Sequence, residues 1–403
     1  MNLLTKAKRV FEGKKILIAG LGLQGGGEGV VKFFLKAGAG LTITDLRPAR
    51  DFGPLIKKLS NGKIKFVLGR HRFSDFKQAD IIIKNPAMPA NSPYIRYAKR
   101  LGKEVLSETQ IFFNLIPREK IIGVTGTKGK TTTAALLAHL LGSRFKVRLI
   151  GNIPGYSALE SLINLKKMPD FFVYELSSFN LEGMETSPRY AIITNIFPDH
   201  LNRYHNFNEY KKTKENIFRY QTRGDFLWSG KSDVAVKVAS FLGIGSQDIK
   251  KRLKSFRSAE GRTEYLGEFK GIRVVNDTTA TNPGAAIFSL HEVEKSFKIG
   301  PSRVILIAGG EDKKLNYAEF SKKIRGLKKV ILLPGGASDK IHFFKALRAG
   351  SLEEGVKMAF GFAKKGDVIL FSPGASSFNM FKNEFDRGRI FKKAVFRAKK
   401  GLL

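Results

Sequence analysis

The chain has 403 residues, 42% of them hydrophobic and 26% charged, a balance that builds buried cores and excludes a disordered chain; at roughly 100–200 residues per domain, the length argues for two or three domains. With no cysteine there is no disulfide framework and no thiolate metal site, which suits a cytoplasmic protein, and no apolar run approaches the ~20 residues of a membrane span. The net charge of +36 divides into +13 over residues 1–117, +11 over 118–258 and +12 over 259–403, whereas a nucleic-acid binder concentrates its charge on one face or segment.

Such an even excess reads as a lysine-rich background that still attracts anionic substrates such as nucleotides. The N-terminus shows neither the apolar core nor the cleavage site of a signal peptide. The first segment opens with the apolar run Lys15-Ile-Leu-Ile-Ala-Gly20, then a glycine turn through Gly22, Leu23, Gln24 and Gly25. A helical stretch from Glu28 to Ala37 and a strand, Leu41-Thr-Ile-Thr-Asp45, follow. Strands at Lys65–Leu68 and Ala79–Lys84 continue the alternation, which predicts a doubly wound parallel sheet. Pro117, in the polar break Pro117-Arg-Glu-Lys120, marks a linker and bounds a first domain at 1–117. Gly20-Leu-Gly22-Leu-Gln-Gly25 fits G-x-G-x-x-G after a strand, with Asp45 closing the next strand. Alone, that fingerprint admits a dinucleotide, another nucleotide or a purely structural turn.

A second glycine loop, Thr125-Gly126-Thr127-Lys128-Gly129-Lys130-Thr131-Thr132, joins the strand Ile121–Thr125 to a helix running from Thr131 to Leu141. Backbone N–H groups of such a loop close around phosphate oxygens, and the helix N-terminus adds a favourable dipole. Lys130 can reach the β- and γ-phosphates, and the Thr131 hydroxyl is placed to ligate Mg²⁺. Val124 stands where the strict motif has its first glycine, so this is a variant P-loop. Strands at Phe171–Glu175 and Tyr190–Asn195 follow, and a central domain is set at 118–258, ending near Lys250-Lys-Arg-Leu-Lys254. The last segment, 259–403, carries strands at Arg303–Ala308, Lys329–Leu333 and Asp367–Phe371. Each leaves toward glycines or a Ser-Pro turn, giving another α/β sheet with its active edge at the strand C-termini.

The variant loop, Thr-Gly-Thr-x-Gly-Lys-Thr, resembles that of the Mur ligase family, which includes the folyl-polyglutamate synthetases. Five further stretches resemble the family in the same order: Glu175-Leu-Ser177-Ser178-Phe179, Asn195 through Asp199-His200 to Arg203, Tyr210 to Lys214, Asn276-Asp277-Thr278-Thr279-Ala280-Thr281-Asn282, and Ser372 to Ser377 with Phe381 to Gly388. Each is weak alone; together they span nearly the whole chain. The resemblance implies three domains: an N-terminal Rossmann-like UDP-binding domain, a shortened central P-loop ATPase domain and a C-terminal Rossmann-like domain. It implies ATP-dependent ligation in the cytoplasm by a monomer. ATP would phosphorylate the carboxylate of UDP-N-acetylmuramoyl-L-alanine, and the amine of D-glutamate would displace the phosphate. No nucleic acid or membrane takes part.

The resemblance also assigns residues. Gly126, Thr127, Lys128, Gly129, Lys130, Thr131 and Thr132 would hold ATP with Asn276, Asp277 and Asn282, and Arg262 would reach the phosphates when the domains close. Two Mg²⁺ sites would draw on Thr131, Glu175, His200 and a Lys214 carbamylated from CO2 or bicarbonate. Read without the family, Glu175 could cap a helix, His200 could be a surface histidine, and Lys214, near Lys211 and Lys212, could lie on a solvated face. Gly22, Leu23, Gln24, Asp45, Arg47, Asn152 and Ser177 become candidates for the UDP-sugar. Lys313, Thr281, Ser377 and Phe385 would hold the amino acid, although Phe385 also suits core packing.

Three departures stand out. Thr279 replaces a family lysine, Asn202 replaces the aspartate after His200, and the central domain offers only Leu227 to Ala235 where strands and a Gly-x-His-Asn-x-x-Asn motif are expected. An L-alanine-adding ligase fits less well, lacking its Thr-Gly-Thr-His-Gly-Lys loop and histidine pair here. A folyl-polyglutamate synthetase would lack the N-terminal dinucleotide-like domain, and a basic P-loop nucleic-acid binder would concentrate its charge.

Overall fold

The structure is a computed structural model that describes residues 3–22, 26–59, 64–151, 157–163, 165–200, 203–230, 233–256, 260–377 and 380–399. Its contacts divide the chain into two units, Met1–Ile196 with Asn208–Ser255, and Phe197–Phe207 with Phe256–Leu403.

The first unit holds two parallel sheets. One has strands β1 (Lys15–Ala19), β2 (Gly40–Asp45), β3 (Ile64–Leu68), β4 (Ile81–Lys84) and β5 (Glu104–Leu106) in the order β3-β2-β1-β4-β5. Four residues of β1 and all of β4 are buried, as expected of central strands covered on both faces. The chain runs outward from β1 through β3, then returns to β4 on the other side. That reversal opens a crevice at the C-terminal ends of β1 and β4, where Gly20, Gly22 and Asn85 sit.

The second sheet has β6 (Ile121–Thr125), β7 (Val147–Gly151), β8 (Phe171–Glu175), β9 (Tyr190–Ile193) and β10 (Phe226–Ser229) in the order β10-β9-β6-β8-β7. Its reversal lies between β6 and β9, so the phosphate loop leaves β6 beside Thr194 and Asn195. Between Phe218 and Arg262 the described residues contain one strand, β10, and two helices, Val234–Phe241 and Ser246–Ser255. The central domain is therefore trimmed to its parallel core.

The second unit carries β11 (Glu264–Phe269), β12 (Ile272–Asn276), β13 (Val304–Gly309), β14 (Lys329–Leu333), β15 (Leu347–Arg348) and β16 (Val368–Phe371). Their order is β11-β12-β16-β13-β14-β15, parallel except for the β11–β12 hairpin. Strands β6, β8 and β14 fall on the residues read from the apolar runs. Strands β5, β7, β10, β11, β12 and β15 were not among those read: they are short, interrupted by charge or partly exposed, and they carry no continuous apolar signal.

Candidate active site

Glycine geometry shapes the phosphate loop. Gly126 has φ +151° and Gly129 φ +84°, backbone that side chains rarely adopt. A Cβ on Gly126 would stand 2.0 Å from Thr194 Oγ1, so the loop closes only without one. The end of β9 clamps the loop from the other side. Asn195 Oδ1 accepts from Lys128 N at 2.9 Å, its Nδ2 donates to Lys128 O at 2.9 Å, and Thr194 Oγ1 donates to the same carbonyl at 2.6 Å. Lys130 Nζ donates to Gly126 O and Thr127 O at 3.0 and 3.1 Å, so its ammonium already lies inside the loop's curve. No local pattern assigns Thr194 or Asn195 this bracing, because side chains that brace a loop leave no spacing signature.

Two oxygen atoms beside this loop have no protein partner. Thr131 Oγ1 and Glu175 Oε2 are both buried without a hydrogen bond. Glu175 ends β8, in register with Val124 of β6. A buried carboxylate oxygen without a donor is costly unless a cation supplies the missing charge. Oxygen-only donors suit a hard divalent ion such as Mg²⁺, and these residues fit one. Among the described residues, no group of three or more His, Cys, Asp or Glu side chains could hold a metal.

Lys214 lies against the same loop. The helix Phe207–Arg219 turns Tyr210, Lys214 and Ile217 inward at helical spacing, leaving Lys211 and Lys212 exposed. Lys214 is only 1% exposed, which rules out the solvated face. Its Nζ donates to Gly126 O at 2.8 Å and lies 4.9 Å from the Tyr210 ring centroid, while Tyr210 Oη meets Thr127 Oγ1 at 3.1 Å. His200 belongs to the other unit. Its backbone is left-handed, with φ +54°, and its N–H donates to Asp199 Oδ1 at 2.9 Å. A left-handed non-glycine residue is uncommon and recurs at functional sites.

At the N-terminal crevice, the Asp45 carboxylate accepts from the backbone N–H groups of Leu21 at 2.9 Å, Gly22 at 3.3 Å and Arg47 at 2.9 Å. It holds the glycine turn in shape with the same oxygens a ribose would need. Arg47 is exposed. Ser177 caps the short helix Ser178–Leu181 through a capping box with Asn180. Leu23, Gln24, Asn152 and Asn202 lie outside the described residues.

In the second unit the polar residues chiefly hold one another. Asp277 is fully buried; it accepts from Thr263 N at 3.0 Å, Ser372 Oγ at 3.1 Å and Ser289 Oγ. Asn276 donates to Glu264 Oε2 at 3.0 Å, and Asn282 caps the helix Pro283–Phe297 through Ala285 N at 2.8 Å. Thr279, a lost charge in the sequence, donates to Gly261 O at 3.0 Å and so anchors the residue before the half-buried Arg262.

An isolated antiparallel bridge pairs Glu311 with Ser376, tying the segment that carries exposed Lys313 to the one that carries buried Ser377. Thr278 Oγ1 donates to Glu384 O at 2.8 Å, fixing the start of the helix that bears half-buried Phe385; Thr281 is half-buried three residues on. Arg387, quoted in a sequence motif but given no role, is 1% exposed. It donates to Ala375 O at 3.1 Å, Thr278 O at 2.7 Å and Thr278 Oγ1 at 3.2 Å, and burial pushes its pKa down to about 10. Its burial depends on tertiary packing and is invisible in sequence.

Three family models match the chain: a MurD-like Mur ligase N-terminal domain over residues 14–107, a Mur ligase middle domain over 124–240 and a Mur ligase glutamate ligase domain over 261–374. The UDP-N-acetylmuramoylalanine–D-glutamate ligase of Roseiflexus sp. (strain RS-1) is 35% identical, the match covering 95% of this chain and 98% of the relative. The ligase of the same name from Borreliella afzelii (strain PKo) is also 35% identical, over 94% and 97%. The Roseiflexus alignment runs to 469 positions, more than the 403 residues here, so the relative carries segments this chain lacks. In fold, the chain is similar to the MurF ligase of Thermotoga maritima solved in complex with ADP, at a TM-score of 0.61, 16% identity and full coverage of both chains.

Proposed function

The chain belongs to the Mur ligase family, and from that membership we propose that it uses ATP to join D-glutamate to UDP-N-acetylmuramoyl-L-alanine in peptidoglycan precursor synthesis. The observation that carries the reading is the pair of buried, unpartnered oxygens on Thr131 and Glu175 beside a lysine-bearing phosphate loop. The identity of the substrates follows the names of the full-length relatives.

The substrate carboxylate attacks the γ-phosphorus of ATP, ADP leaves, and the free amine of D-glutamate then displaces inorganic phosphate from the acyl phosphate. Lys130 places its ammonium on the β- and γ-phosphate oxygens, and the loop N–H groups hold the rest. Thr131 and Glu175 would hold Mg²⁺, which offsets phosphate charge when bound. Lys214 is carbamylated in this reading: its neutral amine adds CO2 and releases a proton, leaving a carbamate anion for a second Mg²⁺ with His200. Burial supports this, because a buried ammonium is costly and an anion beside a cation is not. Arg262, Asn276, Asp277 and Asn282 stay candidates on the nucleotide side. Gly22, Asp45, Arg47 and Ser177, with Leu23, Gln24 and Asn152, stay candidates for the UDP-sugar, and Lys313, Thr281, Ser377 and Phe385 for D-glutamate. A monomer acting on small molecules in the cytoplasm is part of this proposal; no helix among the described residues is long and apolar enough to cross a membrane.

A coupled phosphate-release assay tests the reading. Release is expected to require UDP-N-acetylmuramoyl-L-alanine and D-glutamate together, with L-alanine, glycine and diamino acids poor acceptors. Equal turnover with any of those, or stimulation by polynucleotide instead, overturns it.

A further inference from the structure

We propose that Lys84 is a positioning residue for the UDP-linked substrate, acting through a partly buried ion pair with Glu182 that ties the N-terminal crevice to the Glu175 corner of the ATP domain. This deepens the ligase reading and rests on it.

Lys84 is the last residue of β4, at the crevice edge. Its side chain is 9% exposed, and its Nζ donates to Met88 O at 2.9 Å and to Glu182 Oε2 at 3.0 Å. The first bond closes the turn beyond β4, where Met88 N also donates to Asn85 O at 2.9 Å. Asn85 is the residue that this turn presents to the glycine loop. A Cβ on Gly20 would stand 2.7 Å from Asn85 Cβ, and one on Gly22 would stand 3.3 Å from its Nδ2. Holding the turn therefore holds the crevice floor.

Glu182 is the C-cap of the helix Ser178–Leu181, which starts three residues after Glu175. Two other elements reach the same corner. Asn216, two residues beyond Lys214 on its helix, donates to Leu181 O at 3.0 Å, and Gln110 donates to Gly183 O at 3.1 Å. One corner thus receives the crevice turn through Lys84, the Glu175 strand through its own chain, and the Lys214 helix through Asn216.

Buried ion pairs add little net stability, because desolvation cancels much of the attraction; their best-attested use is to fix one arrangement. Here the arrangement fixed is the register between the residues that seat the UDP-linked substrate and those that seat the phosphates. A misplacement of about 1 Å between reacting groups can cost on the order of 100-fold.

The test is steady-state kinetics on Lys84→Met, Glu182→Gln, the double variant and Lys84→Arg, with thermal melting of each. Each single variant is expected to raise the KM for UDP-N-acetylmuramoyl-L-alanine about tenfold, with the KM values for ATP and D-glutamate within about twofold of wild type. The double variant should be no worse than the worse single, since both remove the same link, and Lys84→Arg should restore most of the loss. If Lys84→Met does not fold, Glu182→Gln, on the more exposed partner, carries the same expectation. A proportional rise in all three KM values, no change in any, or single effects that multiply in the double overturns the proposal. Failure of the wild type to turn over this substrate would instead overturn the ligase reading itself.

Discussion

The phosphate loop and the strand ends of the second unit use the same polar residue types to opposite ends. Beside the loop, Thr131 Oγ1 and Glu175 Oε2 are buried and unmatched. In the second unit, Asp277 is at least as deeply buried, yet Thr263, Ser289 and Ser372 all donate to it. Asn276 and Asn282 are likewise engaged by neighbours in their own unit. A buried polar atom left without a protein partner costs free energy that a ligand or a water can return; one fully matched contributes to the scaffold. The contrast sets the metal candidates Thr131 and Glu175, whose oxygens are left open, against nucleotide candidates already matched within their own scaffold.

The largest effect is expected at the loop. Lys130→Ala should lower phosphate release by on the order of 10²–10³, the usual cost of one transition-state charge, because its ammonium already lies against Gly126 O and Thr127 O. Near-normal turnover would show that the loop does not hold the transferred phosphate. Lys214→Ala should be nearly as damaging, yet formate or acetate should restore part of the rate by standing in for the carbamate. Carbon-13 NMR of folded protein kept in labelled bicarbonate, showing no carbamate signal, together with no rescue, would remove that residue from the metal site.

Stability measurements address the contrast directly. Asp277→Ala strands the Thr263 N–H and the Ser372 hydroxyl in a buried pocket, while Ser289 can turn to Ala285 O, so the second unit should lose about 3 kcal/mol and melt several degrees lower. Glu175→Gln should behave the other way. With a buried charge removed and no donor lost, the metal-free protein should melt unchanged or a few degrees higher while activity collapses. Calorimetry of both variants in chelator reads the difference, and a drop for Glu175→Gln matching that of Asp277→Ala would erase the distinction between the two regions.

Much of this was legible from local pattern. Runs such as Ile121–Thr125 and Lys329–Leu333 announce themselves because a strand buried on both faces is apolar at every position. The loop's glycines and Lys130 sit at fixed spacing because phosphate geometry requires it. The β11–β12 hairpin gave no such sign, since Glu264, Gly267 and Glu268 break up its apolar pattern. Nor did the partners that decide each role: Asn195 bracing Lys128, Arg387 clasping Thr278 and Ala375, Thr279 holding Gly261. Their pairings join residues 12 to 109 positions apart, most of them beyond any window read along the chain. Lys214 lies between these cases, with a position that similarity marked and a 1% exposure that only packing reveals.

The smallest expected effect falls on the acceptor edge, where one exposed cation stands apart from the matched scaffold. Lys313 is exposed, two residues beyond Glu311, whose bridge partner Ser376 precedes Ser377. D-glutamate brings two carboxylates and an amine that must stay free to attack, so its pocket needs a cation and hydroxyl donors rather than another anion. A charge-assisted hydrogen bond contributes about 1.5–3 kcal/mol, and 1.4 kcal/mol is tenfold in affinity. Lys313→Ala should therefore raise the KM for D-glutamate about tenfold or more. Because Lys313 braces no buried group in the way Asp277 does, melting should stay within about a degree of wild type, and the KM values for ATP and the UDP-linked substrate should hold. A variant that melts lower while every KM rises together would place Lys313 with the scaffold, and the acceptor's carboxylates would have to find their cation elsewhere.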